Sequence, residues 1–134
     1  MFIAHRAAET QVHEALRESG FDDLTLAQVR ISQRLSRNGI RVTELAEQAR
    51  VTKQTAGALV DELEQNGYVA RTPDPRDARA RLVVLSPRGR ELCAAAAAEV
   101  AKVEAQWRAH LGAQTYDRLV AALLSLREIT DPTG

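Results

Sequence analysis

The stretch from Thr52 to Leu85 limits the possible folds more than any other part of the chain. Thr52, a residue type that caps helix N-termini, precedes a run with apolar Ala56, Leu59, Val60 and Leu63, and Gly67 closes that run. Two short apolar segments follow, Val69–Thr72 and Leu82–Leu85, and a turn rich in proline, aspartate and arginine separates them. The order is therefore capped helix, strand, basic turn, strand. A helix followed at once by an arginine-rich hairpin suits a nucleic-acid duplex, with the helix in one groove and the hairpin in the next.

The rest of the chain supplies a frame for that stretch. The 134 residues amount to a single domain with a sizeable core. Aromatics make up 4% and alanine is abundant, which favours helices packed on helices over a sheet sandwich. The longest apolar run, Leu92–Ala98, falls far short of the ~20 residues that span a bilayer. Residues 1–6 soon turn polar, and a single cysteine excludes an intrachain disulfide framework. These features predict a cytoplasmic protein with no membrane partner. Net charge is zero, which argues against coating nucleic acid by bulk charge. Charge is instead placed locally. Residues 41–90 hold nine Arg/Lys and seven Asp/Glu, and Arg71, Arg76, Arg79 and Arg81 share one hairpin.

Taken in order, residues 2–18 carry Ile3, Ala7, Ala8, Val12, Ala15 and Leu16 at helical spacing, with Gly20 as a stop. A second helix is expected over about Thr25–Ser36, and Ile40-Arg41-Val42 reads as a short strand. Thr43 is expected to cap a third, short helix ending near Ala49, with Arg50-Val51 as the turn before Thr52. Short helix, tight turn and capped helix together make a helix-turn-helix grammar. Ser86-Pro87 is a strong start for a fifth helix to about Leu111, ended by Gly112. A last helix covers roughly Thr115–Ile129, and Asp131–Gly134 reads as a frayed tail.

The predicted fold is mainly α with a small β-hairpin wing, a winged helix-turn-helix (residues 22–90) flanked by dimerisation helices (1–20 and 87–130) within one domain of 1–134. The terminal helices carry more apolar surface than the central module can cover, so a homodimer is the economical arrangement. The interface expected from the stripes comprises Ile3, Val12, Leu16, Trp107, Leu111, Leu119, Leu123 and Leu126.

The helix opened by Thr52 turns Lys53, Gln54, Gly57, Ala58 and Asp61 away from its apolar side. In a major groove, glutamine bonds bidentately to an adenine edge, and lysine reaches guanine acceptors or a phosphate. Thr52 and Thr55 have the length for phosphate oxygens near a helix N-terminus. Gly57 and Ala58 permit close approach to the groove floor, and Ala58 suits a thymine methyl. Arg76 and Arg79 at the hairpin tip suit a narrow minor groove, where the negative potential is enhanced. Thr43, Arg71 and Asp77 complete the expected DNA-binding surface.

The runs Val42-Thr43-Glu44-Leu45-Ala46, Thr52-Lys53-Gln54-Thr55, Leu59–Glu64, Gly67-Tyr68-Val69 and Arg71 resemble the MarR family of bacterial transcriptional regulators. The most specific part is the wing, Asp74-x-Arg76-Asp77-x-Arg79 followed by Val84-Leu85-Ser86-Pro87-x-Gly89. The resemblance covers residues 24–91 well. It implies a dimer with the fourth helix in the major groove, Arg79 in the minor groove and Asp77 orienting Arg79. It also implies that a small effector binds between the reader and the dimer helices to release DNA, though no motif names that ligand. Family members often carry serine and arginine where this chain has Gly57 and Ala58, so base reading would lean on Lys53, Gln54 and DNA shape.

The expected function is a dimeric repressor on a pseudo-palindromic operator. The alternative is a winged-helix module that binds protein and not DNA. No carboxylate pair, Ser/His/Asp set, phosphate loop or metal cluster converges, so neither an enzyme nor a cofactor is predicted. His5, Glu9 and His13 share a face at helical spacing, but surface histidines outnumber ligands. Cys93 among alanines reads as a small buried hydrophobe rather than a sensor.

Overall fold

The computed structural model describes residues 2–36 and 38–131, so the last three residues of the expected frayed tail lie outside the described residues. Six helices and one hairpin run in the order α1 (Phe2–Glu18), α2 (Leu26–Ser32), α3 (Val42–Ala49), α4 (Lys53–Gln65), β1 (Val69–Asp74), β2 (Asp77–Leu85), α5 (Pro87–Leu111) and α6 (Ala113–Thr130). This is the winged helix-turn-helix with flanking helices that the sequence predicts. Among the described residues no helix is long and apolar enough to cross a membrane.

The core lies where α1, α2, α4 and α5 meet the hairpin, and its fully buried side chains include Leu16, Leu45, Val60, Leu63, Tyr68, Val83 and Leu92. Leu16 sits on α1, which packs along α5, while Ala56, Val60 and Leu63 form the inward stripe of α4. Burying Val60 and Leu63 contributes roughly 1.5–3 kcal/mol each.

Several boundaries differ from expectation. α2 stops at Ser32 rather than Ser36. Ser32, buried, turns its hydroxyl back onto the Val29 carbonyl, and Arg34 and Leu35 donate three residues back, to Ile31 and Ser32, so the last turn tightens and ends. Its start is fixed by a full capping box, in which Thr25 accepts from the Gln28 amide and Gln28 accepts from the Thr25 amide.

α3 begins at Val42, with Arg41 rather than Thr43 in the cap position and no side-chain cap bond. The expected strand shrinks to one residue, because Ile40 exchanges both backbone bonds with Val83 and the chain turns into α3 at once. α3 ends on Arg50 in the left-handed region (φ 56°), where its amide and that of Val51 close the turn on Ala46 and Glu47 carbonyls. Thr52 then caps α4 through the Thr55 amide.

The hairpin is longer than its apolar runs suggested. Its ladder runs antiparallel from Val69↔Leu85 to Pro73↔Arg81, then shifts register before Asp74↔Asp77. Pro73 is tolerated because β1 is an edge strand, with no partner on its other side among the described residues.

α5 starts from Ser86, whose hydroxyl accepts from the Gly89 amide and donates to the Gly67 carbonyl. Its first turn is pressed against the chain after α4: a Cβ on Gly89 would run into the Tyr68 carbonyl oxygen. Tyr68 is fully buried and donates its hydroxyl to Asp23, while Arg88 donates to the Tyr68 oxygen and lies over its ring, 4.7 Å from the centroid. Burial and the Asp23 carboxylate hold the Tyr68 hydroxyl above its usual pKa. The loop before α2, the end of α4 and the start of α5 are thereby joined in one seam.

Candidate nucleic-acid interface

α4 leaves Lys53, Gln54, Thr55, Ala58 and Asp61 exposed on the side opposite its buried stripe. Thr52 and Thr55 bond to each other through their hydroxyls at 2.9 Å. One hydroxyl hydrogen is consumed in that bond, so the pair offers a phosphate one donor and not two. Gly57 has open space where a Cβ would stand, which leaves a notch in the outer face beside Ala58. Thr43 stands exposed in the first turn of α3 rather than capping it.

The wing places Arg76, Arg79 and Arg81 in solvent, with the Arg79 side chain 94% exposed. Two aspartates shape the tip. Asp74 accepts from the Arg76 amide at 2.9 Å, and Asp77 accepts from the Arg79 amide at 3.0 Å. Each is a side chain folding the backbone two residues on, the turn chemistry for which aspartate is suited. Asp77 also lies 3.6 Å from the Arg79 guanidinium nitrogen Nε, so it meets both the backbone and the side chain of that arginine.

Arg71 is placed differently from its expected role. Its guanidinium is only 17% exposed and pairs with Asp61 at 2.7 Å and Glu64 at 2.8 Å, both on α4. An arginine holding two carboxylates brings no free charge to a phosphate. It neutralises the acidic half of α4 and braces β1 against that helix.

The MarR-family protein Rv2887 of Mycobacterium tuberculosis, solved in complex with salicylic acid, is 30% identical to this chain. The similarity covers 93% of this chain and 91% of that protein with a TM-score of 0.69. The chain belongs to the MarR family. The family model matches residues 22–80, the span from the α2 approach to the wing. Among curated proteins, the transcriptional activatory protein BadR of Rhodopseudomonas palustris is 37% identical over 75 residues, 53% of this chain and 43% of BadR. The transcriptional regulator HosA of Escherichia coli O111:H- is 34% identical over 87 residues, 64% of each chain. The chain thus spans less than two thirds of either curated relative.

Outside the matched span, the expected two-fold surface divides. Val12 and Leu16 are 5% and 0% exposed and belong to this chain's own core, so they are withdrawn from that surface. Helical spacing alone does not say which partner a stripe meets, and α5 of the same chain covers this part of α1. Trp107 is half-buried and packs on the core. Ile3, Leu111, Leu119, Leu123 and Leu126 are exposed, together with Phe2, Leu124 and Ile129.

Cys93 is half-buried, its sulfur 3.9 Å from the Ser32 carbonyl, and burial pushes its thiol pKa up. A thiol held in its protonated form is a poor nucleophile. His5 lies 3.3 Å from Glu9, whereas His13 meets the Leu24 carbonyl at 2.8 Å. Glu9 takes the Arg30 guanidinium through both oxygens, and that bond holds its carboxyl below the usual range. The histidine–glutamate face is thus divided between separate partners. Among the described residues no three His, Cys, Asp or Glu side chains converge as a metal site.

Sequence reasoning missed Arg41. It lies 33 residues from its partner Asp74, and no local spacing announces the pair. It also missed the Asp23–Tyr68–Arg88 seam, of which only Tyr68 stood within a quoted motif.

Proposed function

We propose that this protein is a homodimeric, sequence-specific DNA-binding transcriptional regulator. α4 enters the major groove and the wing reaches the adjacent minor groove. The observation that carries this reading is Arg79, almost wholly solvated near the tip of a hairpin whose Arg71 is tied to α4, with Asp77 its nearest carboxylate. A surface side chain gains nothing for stability there, but a guanidinium in that position gains a narrow minor groove. Gln54 and Lys53 read bases, while Thr52, Thr55 and Thr43 meet phosphates. The exposed leucines of α6 face a second copy, and the dimer acts in the cytoplasm as a repressor by occluding a pseudo-palindromic site. Half-sites about one helical turn apart follow from two-fold symmetry. The likeness to a relative solved with salicylic acid supports a small ligand as the releasing signal.

Selection of fragments from the source genome with purified protein tests the reading. The expected result is enrichment of a two-fold-related site whose binding weakens steeply with salt. Arg79→Ala should then lower affinity on that site with the oligomeric state unchanged. Gln54→Ala should relax preference at one base position, worth ~1–3 kcal/mol. Failure to bind any duplex at low salt would overturn the reading in favour of a protein-interaction module. Transcription in vitro from the selected site separates repressor from activator.

A further inference from the structure

We propose that Arg41 and Asp74 form a positioning pair that fixes the wing's angle against the helix-turn-helix, an inference that rests on the DNA-binding reading above. The hairpin is supported unevenly. Near its base, Val83 bridges to Ile40, giving the ladder a third backbone partner. Towards the tip that support ends, and the ladder shifts register between Pro73 and Asp74. Between the tip and α3 lies an open groove of about 700 Å³ with Asn38, Glu44 and Leu82 among its walls, so the wing stands off from α3 there.

Among the described residues a charged link crosses this groove. Arg41 donates from Nε to Asp74 Oδ2 at 2.8 Å, and its Nη2 lies 2.7 Å from the same oxygen in an ion pair. The other oxygen, Oδ1, accepts from the Arg76 amide. One carboxylate therefore holds the turn that presents Arg76 and, through its second oxygen, the residue at the cap of α3. Asp74 is 6% exposed although it stands at the end of an edge strand, and the Arg76 amide and Arg41 guanidinium keep its carboxyl ionised well below the usual range. α3 continues through the tight turn into α4, so the pair ties the tip of the wing to the helix-turn-helix from the α3 side, where Arg71 ties its base directly to α4.

Charge bookkeeping and geometry make opposite predictions here. Asp74→Asn removes a negative charge from a face meant for phosphates, so bulk electrostatics predicts tighter DNA binding. The asparagine oxygen still closes the Arg76 turn, but the ion pair is gone, so positioning predicts weaker binding. The expected loss is about tenfold, the scale of one charge-assisted hydrogen bond. Arg41→Gln should lose a similar factor, and the double variant should be no weaker than either single one. Hydroxyl-radical protection should fade in the flanking minor groove while protection in the major groove persists.

A second readout needs no DNA. Trypsin cleavage after Arg76, Arg79 and Arg81, mapped by mass spectrometry, should quicken several-fold in Asp74→Asn, with melting temperature and cleavage elsewhere unchanged. If Asp74→Asn does not fold, Arg41→Gln at a part-exposed position carries both measurements. Binding equal to or tighter than wild type, or unchanged wing cleavage, would overturn the pair's role. If the wild-type protein binds no duplex, the DNA-binding reading fails while the cleavage experiment still decides whether the wing is braced.

Discussion

α4 sends Ala56, Val60 and Leu63 into a closed core, whereas α6, longer by five residues (18 against 13), has no buried residue at all. The reader around α4 is complete within one chain. Its apolar stripe, caps, hairpin and charged braces all find partners among the described residues. The frame made by α6 and the outer ends of α1 and α5 is not, since Leu119, Leu123, Leu124 and Leu126 are all 40% exposed or more. The difference teaches that stability in this protein comes from two sources. The reader's is intramolecular, whereas the apolar side of α6 finds no cover among the described residues.

That contrast can be broken experimentally. The largest effect is expected from Leu119→Asp with Leu123→Asp, which should abolish self-association in sedimentation while leaving the reader's helical signal. The wild-type melting temperature should also rise with protein concentration, as for any folded state stabilised by association. An associated double variant would show that self-association runs through a face other than α6. Next comes Leu63→Ala in the reader, expected to cost ~2–5 kcal/mol for a buried leucine truncation. Urea denaturation measures it, and the oligomeric state at low denaturant should not change. Thr52→Ala should cost ~1 kcal/mol through loss of the α4 cap.

The smallest effect concerns Glu9, which Arg30 holds below the usual carboxylate pKa. Its folded pKa lies below its unfolded one, so its contribution to stability is present above the unfolded pKa. That contribution is lost as pH falls through the folded value. Glu9→Gln should therefore flatten the acid side of the stability curve and leave the neutral side little changed beyond a constant offset.

The parts of the fold legible in the sequence were those written locally. Thr52 and Ser86 each announce a helix start through a hydroxyl and the amide three residues on, and each bonds that way. The apolar stripe of α4 needed only its own spacing. What was not legible came from long-range partners. Thr43 looked like a cap, but the bridge from Ile40 to Val83 moved the start of α3 back to Val42. Val12 and Leu16 looked like interface, but α5 returns to cover them. Arg71 counted as a DNA contact in the sequence, and only folding brings Asp61 and Glu64 to its guanidinium. In each case a residue's chemistry was read correctly and its partner was not, because partners are chosen by topology.

The contact between Gly89 and Tyr68 makes α5 a lever with a fixed fulcrum. Twenty-five residues at 1.5 Å each give an arm of about 37 Å, so a tilt of about 5° at the seam moves the Leu111 end by about 3 Å. The absent Cβ, with the Tyr68 ring locked under Arg88, leaves that fulcrum little play. A displacement of the far end of α5 is therefore carried to the seam at Tyr68, where the chain leaves α4.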